Sequence, residues 1–420
     1  MDQKQFLDAL LGLLAIDSVA WLDASEAAPY GSGPAKALDY VLSLCRTLGV
    51  RTENRGGRVA WAEIGAGDEL TAVLGHLDVV PDGEGWTHDP RGELCGDRLY
   101  GRGAVDDKGP VLAALFAMKD LQDAKTPLRR RVRLIFGQCE ESGDWEDMAY
   151  YRAHEELPVS GFTPDADFPV ICGEKGILHY ALTLPLARAG LRSAEGGDAV
   201  NMVPARAKAV ALDGAVYTAE GVSAHASLPE KGENAIGKLM AQLRAAGVDS
   251  PLVKFYVNCI GMDSDGAGLG CAFSDAQSGA LTVNPGLLRT EGDTVTLTLD
   301  IRCPVTVEKA RVRAALEAAC APYGMAVGLV REQKSVYLDR NGPLVRALLS
   351  VYRDVTGDSS EPLVIGGGTY ARAMPNIAAF GPMRPGRECT EHQRDEYILL
   401  DDLFTAREIY RRAIEKLANL

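Results

Sequence analysis

Apolar and polar positions in the first part of the chain follow two alternating periods. A helical pattern at about 36–48 is followed by the apolar runs RVAWAEI and TAVLGHLDVV, a helical pattern at about 108–122 and the run RVRLIFGQ. Helices that alternate with buried strands are typical of a mostly parallel sheet with helices on both faces. The sequence therefore predicts an α/β domain that holds its ligands at the carboxyl ends of the strands.

The pattern changes between about residues 177 and 334. The runs LHYALTLPL, KAVALDG and TVTLTLDIRCPV occur there with helical patterns at about 234–246 and 307–322, and after about 335 the first style returns. Antiparallel strands with helices are typical of an α+β domain. We therefore predict an α/β catalytic domain formed by 1–176 and 335–420, and an inserted α+β lid or dimerisation-like domain at 177–334.

Composition limits the classes of function. A chain of 420 residues exceeds the size of a single core, so two domains are expected. Acidic residues outnumber basic ones by 58 to 44, which disfavours nucleic acid as a partner. Nine scattered cysteines without a CxxC pair indicate reduced thiols in a cytoplasmic protein. The opening MDQKQFLDALLGLLAIDS predicts an amphipathic helix and not a signal peptide, and no apolar run is long enough to cross a membrane.

Two segments place acids or a histidine at predicted element ends. In VLGHLDVVPDGEGW, His76 and Asp78 point to the same face of a strand end. On this pair alone, a buried, salt-bridged histidine is as good an interpretation as a metal ligand. In RLYGRGAVDDKGPVLAAL, Asp106 and Asp107 precede a helix, and helix capping is expected to account for one of them. The other is then available for a different task.

Three further segments complete the set. The run LIFGQCEESGDWED ends in Glu140 and Glu141, whose like charges are costly unless they are solvated or neutralised by cations. Asp165 and Asp167 flank a turn in GFTPDADFPVI, and His392 in RECTEHQRDEYI would by itself be a surface histidine. Taken together, two histidines and three carboxylates, one of them shared, offer three protein ligands to each of two divalent ions. Positions for water and substrate stay open, as a catalytic zinc site requires.

The segments GHLDVV, YGRGAVDDKG, EESG, GFTPDADFP and GVSAHASLPEKGENA resemble the motifs of the zinc aminopeptidase-like family. This family contains carboxypeptidase G, aminoacylase, succinyl-diaminopimelate desuccinylase and carnosinase. The segment GFTPDADFP, the ending GPMRPGRECTEHQRDEYI and the long insertion are most similar to bacterial dipeptidases of the PepV type. The resemblance spans nearly the whole chain.

The resemblance implies two Zn²⁺ ions per chain, with Mn²⁺ or Co²⁺ as substitutes. Asp106 would bridge the two ions, and each ion would have one histidine and one further carboxylate. The implied ligands are His76 and Asp165 for the first ion, Glu141 and His392 for the second, and Asp106 for both. Asp165 is preferred to Asp167 because the family motif has Asp directly after Pro, and Glu174 in CGEKG is a weaker alternative.

The resemblance also implies catalytic and substrate-binding residues. Asp78 would orient the imidazole of His76, Glu140 would be the general base, and His225 in AHASLP would polarise the scissile carbonyl. Asn201 and Arg302 would hold the carbonyl or the terminal carboxylate of the substrate. The insertion is somewhat shorter than in typical PepV-type enzymes. Whether the protein is a monomer or a homodimer, with His225 acting in its own chain or in a partner, is left open.

The expected function is a dinuclear zinc metallopeptidase that hydrolyses dipeptides or short peptides through a metal-activated water and a Glu general base. The main alternative is an amidase of N-acylated amino acids, of the deacylase or desuccinylase type. A dinuclear phosphoesterase would need basic residues around the metals, and the motif segments contain few. A non-catalytic metal-binding protein is disfavoured because Glu140 is needed for chemistry and not for ligation.

Overall fold

The computed structural model describes residues 3–143 and 145–420. The helices are α1 (Gln3–Leu14), α2 (Ser32–Thr47), α3 (Lys108–Asp123), α4 (Glu146–His154), α5 (Leu186–Ala189), α6 (Ala235–Ala245), α7 (Pro251–Phe255), α8 (Lys309–Cys320), α9 (Pro343–Thr356) and α10 (Leu400–Ala418). Short 3₁₀ turns occur at Pro229–Lys231, Ala267–Leu269, Ala321–Tyr323 and Tyr370–Ala373, and a π-helical turn at Tyr256–Ile260.

The strands are β1 (Arg51–Asn54), β2 (Ala60–Ile64), β3 (Leu70–His76), β4 (Glu93–Cys95), β5 (Arg98–Tyr100), β6 (Arg131–Gly137), β7 (Ser160–Thr163), β8 (Ala166–Asp167), β9 (Ile171–Glu174), β10 (Gly176–Pro185), β11 (Leu191–Gly196), β12 (Arg206–Ala211), β13 (Val216–Glu220), β14 (Ser274–Asp275), β15 (Gly279–Ala280), β16 (Thr282–Glu291), β17 (Thr294–Cys303), β18 (Ala326–Gln333), β19 (Val336–Tyr337), β20 (Leu363–Ile365), β21 (Ile377–Ala379), β22 (Pro382–Met383) and β23 (Tyr397–Leu399).

The chain divides into two compact units. Unit 1 contains the described residues up to Cys172 together with Leu338–Leu363 and Thr369–Leu420, and unit 2 contains Gly173–Tyr337 and Val364–Gly368. The predicted boundaries were 176/177 and 334/335, and 364–368 had been assigned to the catalytic domain. This short segment belongs to unit 2 because its backbone bonds there: Gly366 O accepts from Arg302 at 2.6 Å.

The sheet of unit 1 is parallel at its centre. Strand β3 runs parallel to its neighbours β6 and β7, and β7 runs parallel to β21. The flanking pairs β1–β2, β2–β6 and β9–β21 are antiparallel, so the sheet as a whole is mixed. Every residue of β3 is buried, as expected for a central strand covered on both faces, whereas β1 at the edge is mostly exposed.

The helices of unit 1 bury one apolar side against the sheet and each other. Helix α2 buries Ala37, Leu38, Val41, Leu42 and Cys45, whose spacing of three and four residues forms one stripe. Helix α10 packs on α3 and α9 and reaches β3, β6 and β7, while α1 packs on α2 and α3. The predicted N-terminal helix is present from Gln3, and its first two residues lie outside the described residues.

Unit 2 is built on an antiparallel sheet with the strand order β13-β12-β11-β16-β17-β10-β18. Helix α6 contacts β12 and β13, and α8 packs on β18. The core between them contains Leu182, Leu239 and Leu297, all fully buried. The side chain of Asn234 starts α6 by accepting from the amides of Ile236 and Gly237. The inserted α+β domain thus has the predicted class.

Two findings bear on the predicted environment. Among the described residues, no helix is both long and apolar enough to cross a membrane. All nine cysteines are free thiols, and six of them are buried, namely Cys45, Cys139, Cys172, Cys271, Cys303 and Cys320. Most cysteines therefore serve as small core residues, as their scattered spacing predicted.

Candidate metal centre

The five predicted ligands lie at the end of a strand of unit 1 or in the loops next to its strands and helices. His76 is the last residue of β3, and Glu141 follows β6, the parallel neighbour of β3. Asp165 follows β7, which pairs with the other side of β3. Asp106 lies two residues before the start of α3, and His392 lies in the loop before β23. Because the carboxyl ends of parallel strands meet at one edge, the three strands deliver their side chains to one place.

Two groups of three donors form there, and Asp106 belongs to both. His76, Asp106 and Asp165 form the first group, and Asp106, Glu141 and His392 form the second. Within each group the donor atoms lie within 4.8 Å of one another. Asp167 lies in neither group, and Glu174 lies in unit 2. The grouping is the one that the resemblance implied.

Asp106 faces one histidine with each carboxylate oxygen. Its Oδ1 is 2.8 Å from Nε2 of His76, and its Oδ2 is 2.9 Å from Nε2 of His392. The outer donors complete each group, with Asp165 Oδ2 at 3.8 Å from His76 Nε2 and Glu141 Oε2 at 3.1 Å from His392 Nε2. A carboxylate shared in this way is suited to bridge two cations.

The imidazole of His76 is held in one tautomer. Its Nδ1 lies 3.0 Å from the backbone oxygen of Asp78, which can only accept a hydrogen bond. In the neutral ring, Nδ1 therefore carries the proton, and Nε2 presents its lone pair to Asp106 and Asp165. The side chain of His76 is fully buried, whereas that of His392 is 52% exposed, so the second group is the more accessible one.

Asp78 has a different main contact from the predicted one. Its carboxylate is 3.5 Å from His76 Nδ1, but Oδ1 accepts from the amide of Glu140 at 3.1 Å and Oδ2 from the amide of Glu141 at 3.0 Å. The imidazole is bonded to the backbone of Asp78, and the side chain fixes the strand end that carries both glutamates. The orienting role of Asp78 stays a prediction, and the hydrogen bonds of its carboxylate are to the amides of Glu140 and Glu141.

Asp107 occupies the N-cap position of α3, but its side chain makes no capping hydrogen bond. Its Oδ2 instead accepts from the amide of His76 at 3.2 Å. Its Oδ1 is buried and has no partner among the described residues. Side-chain capping, which was expected for one of Asp106 and Asp107, is therefore not made by the residue at the N-cap, because its carboxylate bonds to the end of β3 instead.

Burial and like charges shape the electrostatics of the centre. Burial, with the neighbouring Asp165 carboxylate, raises the pKa of Glu140 well above its ordinary value. Burial and Asp106 do the same for the pKa of Asp165. Burial opposes the charged form of His392, but hydrogen bonds to Asp106 and Glu141 raise its pKa to about 11. Crowded carboxylates at one edge carry a negative charge that bound cations would offset.

A second buried acid that sequence reasoning missed supports the same strand end. Asp147 Oδ2 accepts from the amide of Gln138 at 2.7 Å and from the hydroxyl of Tyr370 at 2.6 Å. The Tyr370 ring lies edge-on to His76, with ring centroids 5.9 Å apart. No sequence signal marks Asp147, because its contact with Tyr370 spans 223 positions.

The residues predicted to act on substrate lie in unit 2. His225 is exposed, and its Nδ1 is 2.7 Å from the hydroxyl of Ser227. Asn201 is joined to the same segment, because its backbone oxygen accepts from the amide of Ala226 at 2.9 Å.

Arg302 is not the surface residue that a lone strand Arg suggests. It is 3% exposed and donates to both carboxylate oxygens of Asp300, at 2.7 and 2.8 Å. Asp300 also lies 3.2 Å from Nε2 of His179, to which no function was assigned. The guanidinium is thus fixed by a buried network within unit 2.

The fold and the two donor groups define a class of protein, the metallopeptidase-like hydrolases with an inserted second domain. The chain belongs to the Peptidase family M20/M25/M40, whose family model matches residues 72–416. This confirms the family predicted from the motifs.

Individual relatives agree with this assignment. The Bacillus subtilis (strain 168) protein named "Putative dipeptidase YtjP" is 37% identical over 435 residues, covering 94% of this chain and 93% of the relative. Among solved structures, an M20 family metallo-carboxypeptidase from Sulfolobus solfataricus matches with a TM-score of 0.63 and 20% identity, covering 100% of both chains. The aminoacylhistidine dipeptidase from Vibrio alginolyticus matches with a TM-score of 0.64 and 13% identity, covering 99% of this chain and 97% of that one.

Proposed function

We propose that this chain is a dinuclear zinc peptidase that hydrolyses dipeptides or short peptides. The observation that carries the proposal is the shared carboxylate of Asp106, which faces one histidine with each oxygen, at 2.8 and 2.9 Å. A single metal ion has no need of two such donor groups. A further carboxylate, that of Glu140, follows β6 next to the ligand Glu141 and belongs to neither group.

The donor set fits divalent zinc. Its members are imidazoles and carboxylates without a thiolate, a set that also accepts Mn²⁺ and Co²⁺. His76, Asp106 and Asp165 would hold one ion, and Asp106, Glu141 and His392 the other. When bound, the two ions would make a water molecule more acidic and withdraw electrons from the scissile carbonyl.

The residues of the chain then have distinct tasks. Glu140 takes a proton from the attacking water as the new C–O bond forms, and it returns a proton to the leaving amine as the C–N bond breaks. Asp78 keeps the backbone of Glu140 and Glu141 in place during both transfers. His225, from unit 2 of this chain or of a partner, would donate to the developing oxyanion. Asn201 and Arg302 would bind the polar ends of the substrate.

A matched substrate panel tests the reaction class. Purified protein loaded with zinc, manganese or cobalt is assayed against alanyl-leucine, N-acetyl-alanyl-leucine and N-acetyl-leucine. We expect hydrolysis of the free dipeptide, because a relative of this chain is named a putative dipeptidase. Cleavage of N-acetyl-leucine without cleavage of alanyl-leucine would show that the protein is an amidase of N-acylated amino acids and not a dipeptidase. No cleavage of any of the three compounds would refute the proposed function.

A further inference from the structure

The loop that presents Asp106 is tied to a buried carboxylate that has not been assigned a role. Oε1 of Glu396 accepts from the backbone amides of Gly103, Val105 and Asp106, at 3.1, 2.9 and 3.3 Å. Glu396 is fully buried, and its own backbone oxygen accepts from the amide of Gly101 at 2.9 Å. Glu396 therefore accepts four hydrogen bonds from backbone amides of the loop between β5 and α3.

The second oxygen of Glu396 is neutralised by a buried arginine. Arg102 Nη1 donates to Oε2 at 2.7 Å, and both side chains are nearly inaccessible to solvent. Arg102 is itself fixed, because Nη2 donates to the backbone oxygen of Asp82 at 3.2 Å and the guanidinium lies 5.3 Å from the ring centroid of Trp86. A buried charge is costly unless it is paired, so loss of either partner is expected to disturb the whole loop.

Glu396 also shares a short loop with a predicted ligand. His392 precedes it by four residues, and Thr390 closes this loop by exchanging hydrogen bonds with the backbone of Tyr397, at 3.1 and 3.3 Å. The loop that carries His392 is thus anchored, through Glu396, to the loop that carries Asp106. The side chain of Glu396 therefore connects the loops of Asp106 and His392, two of the three donors that would hold the second ion.

We propose that Glu396 is a positioning residue that sets Asp106 relative to His392 and thereby determines how tightly the second ion binds. The inference rests on the proposed two-metal function. It assigns to Glu396 no contact with substrate or metal. Residues that hydrogen-bond to metal ligands and orient them typically contribute 10- to 100-fold to metal affinity. Glu396 acts on Asp106, the ligand that both ions would share.

The test compares Glu396→Gln with Glu63→Gln. Glu63 is a suitable control because it too lies in unit 1 and is mostly buried, paired with Arg133 at 2.8 Å, but it touches none of the predicted ligands. Metal-free proteins are titrated with Zn²⁺ by calorimetry and with Co²⁺ by visible absorption, and their thermal unfolding without metal is recorded. We expect Glu396→Gln to weaken binding of the second ion about 10- to 100-fold and to alter the Co²⁺ spectrum. Glu63→Gln should retain the wild-type affinities and spectrum.

Several results would overturn the inference. Wild-type affinities for both ions in folded Glu396→Gln remove the positioning role. An equal loss of affinity in both variants shows a general effect of lost stability and also removes it. If Glu396→Gln does not fold, Glu396→Asp, which keeps the charge opposite Arg102, gives the same comparison. A wild-type protein that binds fewer than two ions instead contradicts the proposed function, so the two failures are distinguishable.

Discussion

Glu140 and Glu141 provide a sharp test of the proposed chemistry, because two adjacent residues of the same type are predicted to have different tasks. Asp78 holds both through their backbone amides, at 3.1 and 3.0 Å. Only Glu141 belongs to a donor group. Replacing each by Gln preserves shape and removes the charge, so the backbone contacts of both variants should persist.

The expected magnitudes differ between the two variants. Glu140→Gln removes the general base, which typically contributes 10²- to 10⁴-fold, or about 2.7 to 5.4 kcal/mol of activation free energy. Its metal content should stay at two ions per chain. Glu141→Gln removes a ligand, and its second ion should bind at least 10- to 100-fold more weakly, the loss seen for partners that only support a ligand.

The assay measures kcat for a dipeptide at rising metal concentration, together with bound metal by elemental analysis. Activity of Glu141→Gln should recover in part as excess metal refills the second group, whereas Glu140→Gln should stay inactive at every metal concentration. Loss of both ions from Glu140→Gln would refute its assignment as base. Full activity of Glu140→Gln with both ions bound would refute the mechanism altogether.

Three further predictions follow from the same geometry. Exhaustive chelation should abolish activity and added Zn²⁺, Mn²⁺ or Co²⁺ should restore it, and full activity of verified metal-free protein would contradict the mechanism. His225→Ala should lower kcat roughly 100-fold or more without changing metal content, as for loss of one oxyanion donor, and wild-type kcat would exclude that role. If His225 acts from a partner chain, mixing inactive Glu140→Ala and His225→Ala proteins under subunit exchange should regenerate activity, and a self-contained monomer should show none. Asp300→Ala should destabilise the fold by about 3 kcal/mol in urea denaturation, because it removes the carboxylate that neutralises the buried Arg302. Burial opposes the charge of Asp300, yet its bonds to His179 and Arg302 lower its pKa. The contribution of Asp300 to the free energy of unfolding is therefore fully present above its unfolded pKa of about 3.9 and is lost as pH falls through the lower pKa of the folded state. In Asp300→Asn, the free energy of unfolding should consequently change less with pH in that range.

The sequence was most informative where chemistry and periodicity coincide. Central strands such as β3 and β6 and helices such as α2 and α3 could be predicted because their burial follows directly from apolar runs or stripes. The five segments that carry the donors stood out because they place acids or histidines near element ends, while the choice of His76, Asp106, Glu141, Asp165 and His392 as ligands came from the family resemblance and stays a prediction. The antiparallel flanks of the central sheet could not, because strand direction at an edge depends on connections and not on the apolar pattern.

The supporting residues escaped prediction for a physical reason. Glu396 bonds to amides about 290 positions away, and Asp147 bonds to a tyrosine 223 positions away. Contacts over such separations leave no local period, spacing or composition signal. The side chain of Asp107 was misjudged for a related reason: capping is a local preference, and a tertiary contact with the amide of His76 replaced it.

The way the chain enters and leaves unit 2 has a consequence for protein engineering. Gly173 pairs with Tyr337 in antiparallel register, and the next residue pair on the unit 1 side is joined as well, because the amide of Leu338 donates to the oxygen of Cys172 at 2.7 Å. Two of the four points at which the chain crosses between the units thus lie side by side as an antiparallel pair, at the spacing that a two-residue Asn-Gly turn closes. We therefore expect that residues 174–336 can be replaced by such a turn or by a foreign domain with adjacent termini, provided that 364–368, the other segment of unit 2, is redesigned at the same time.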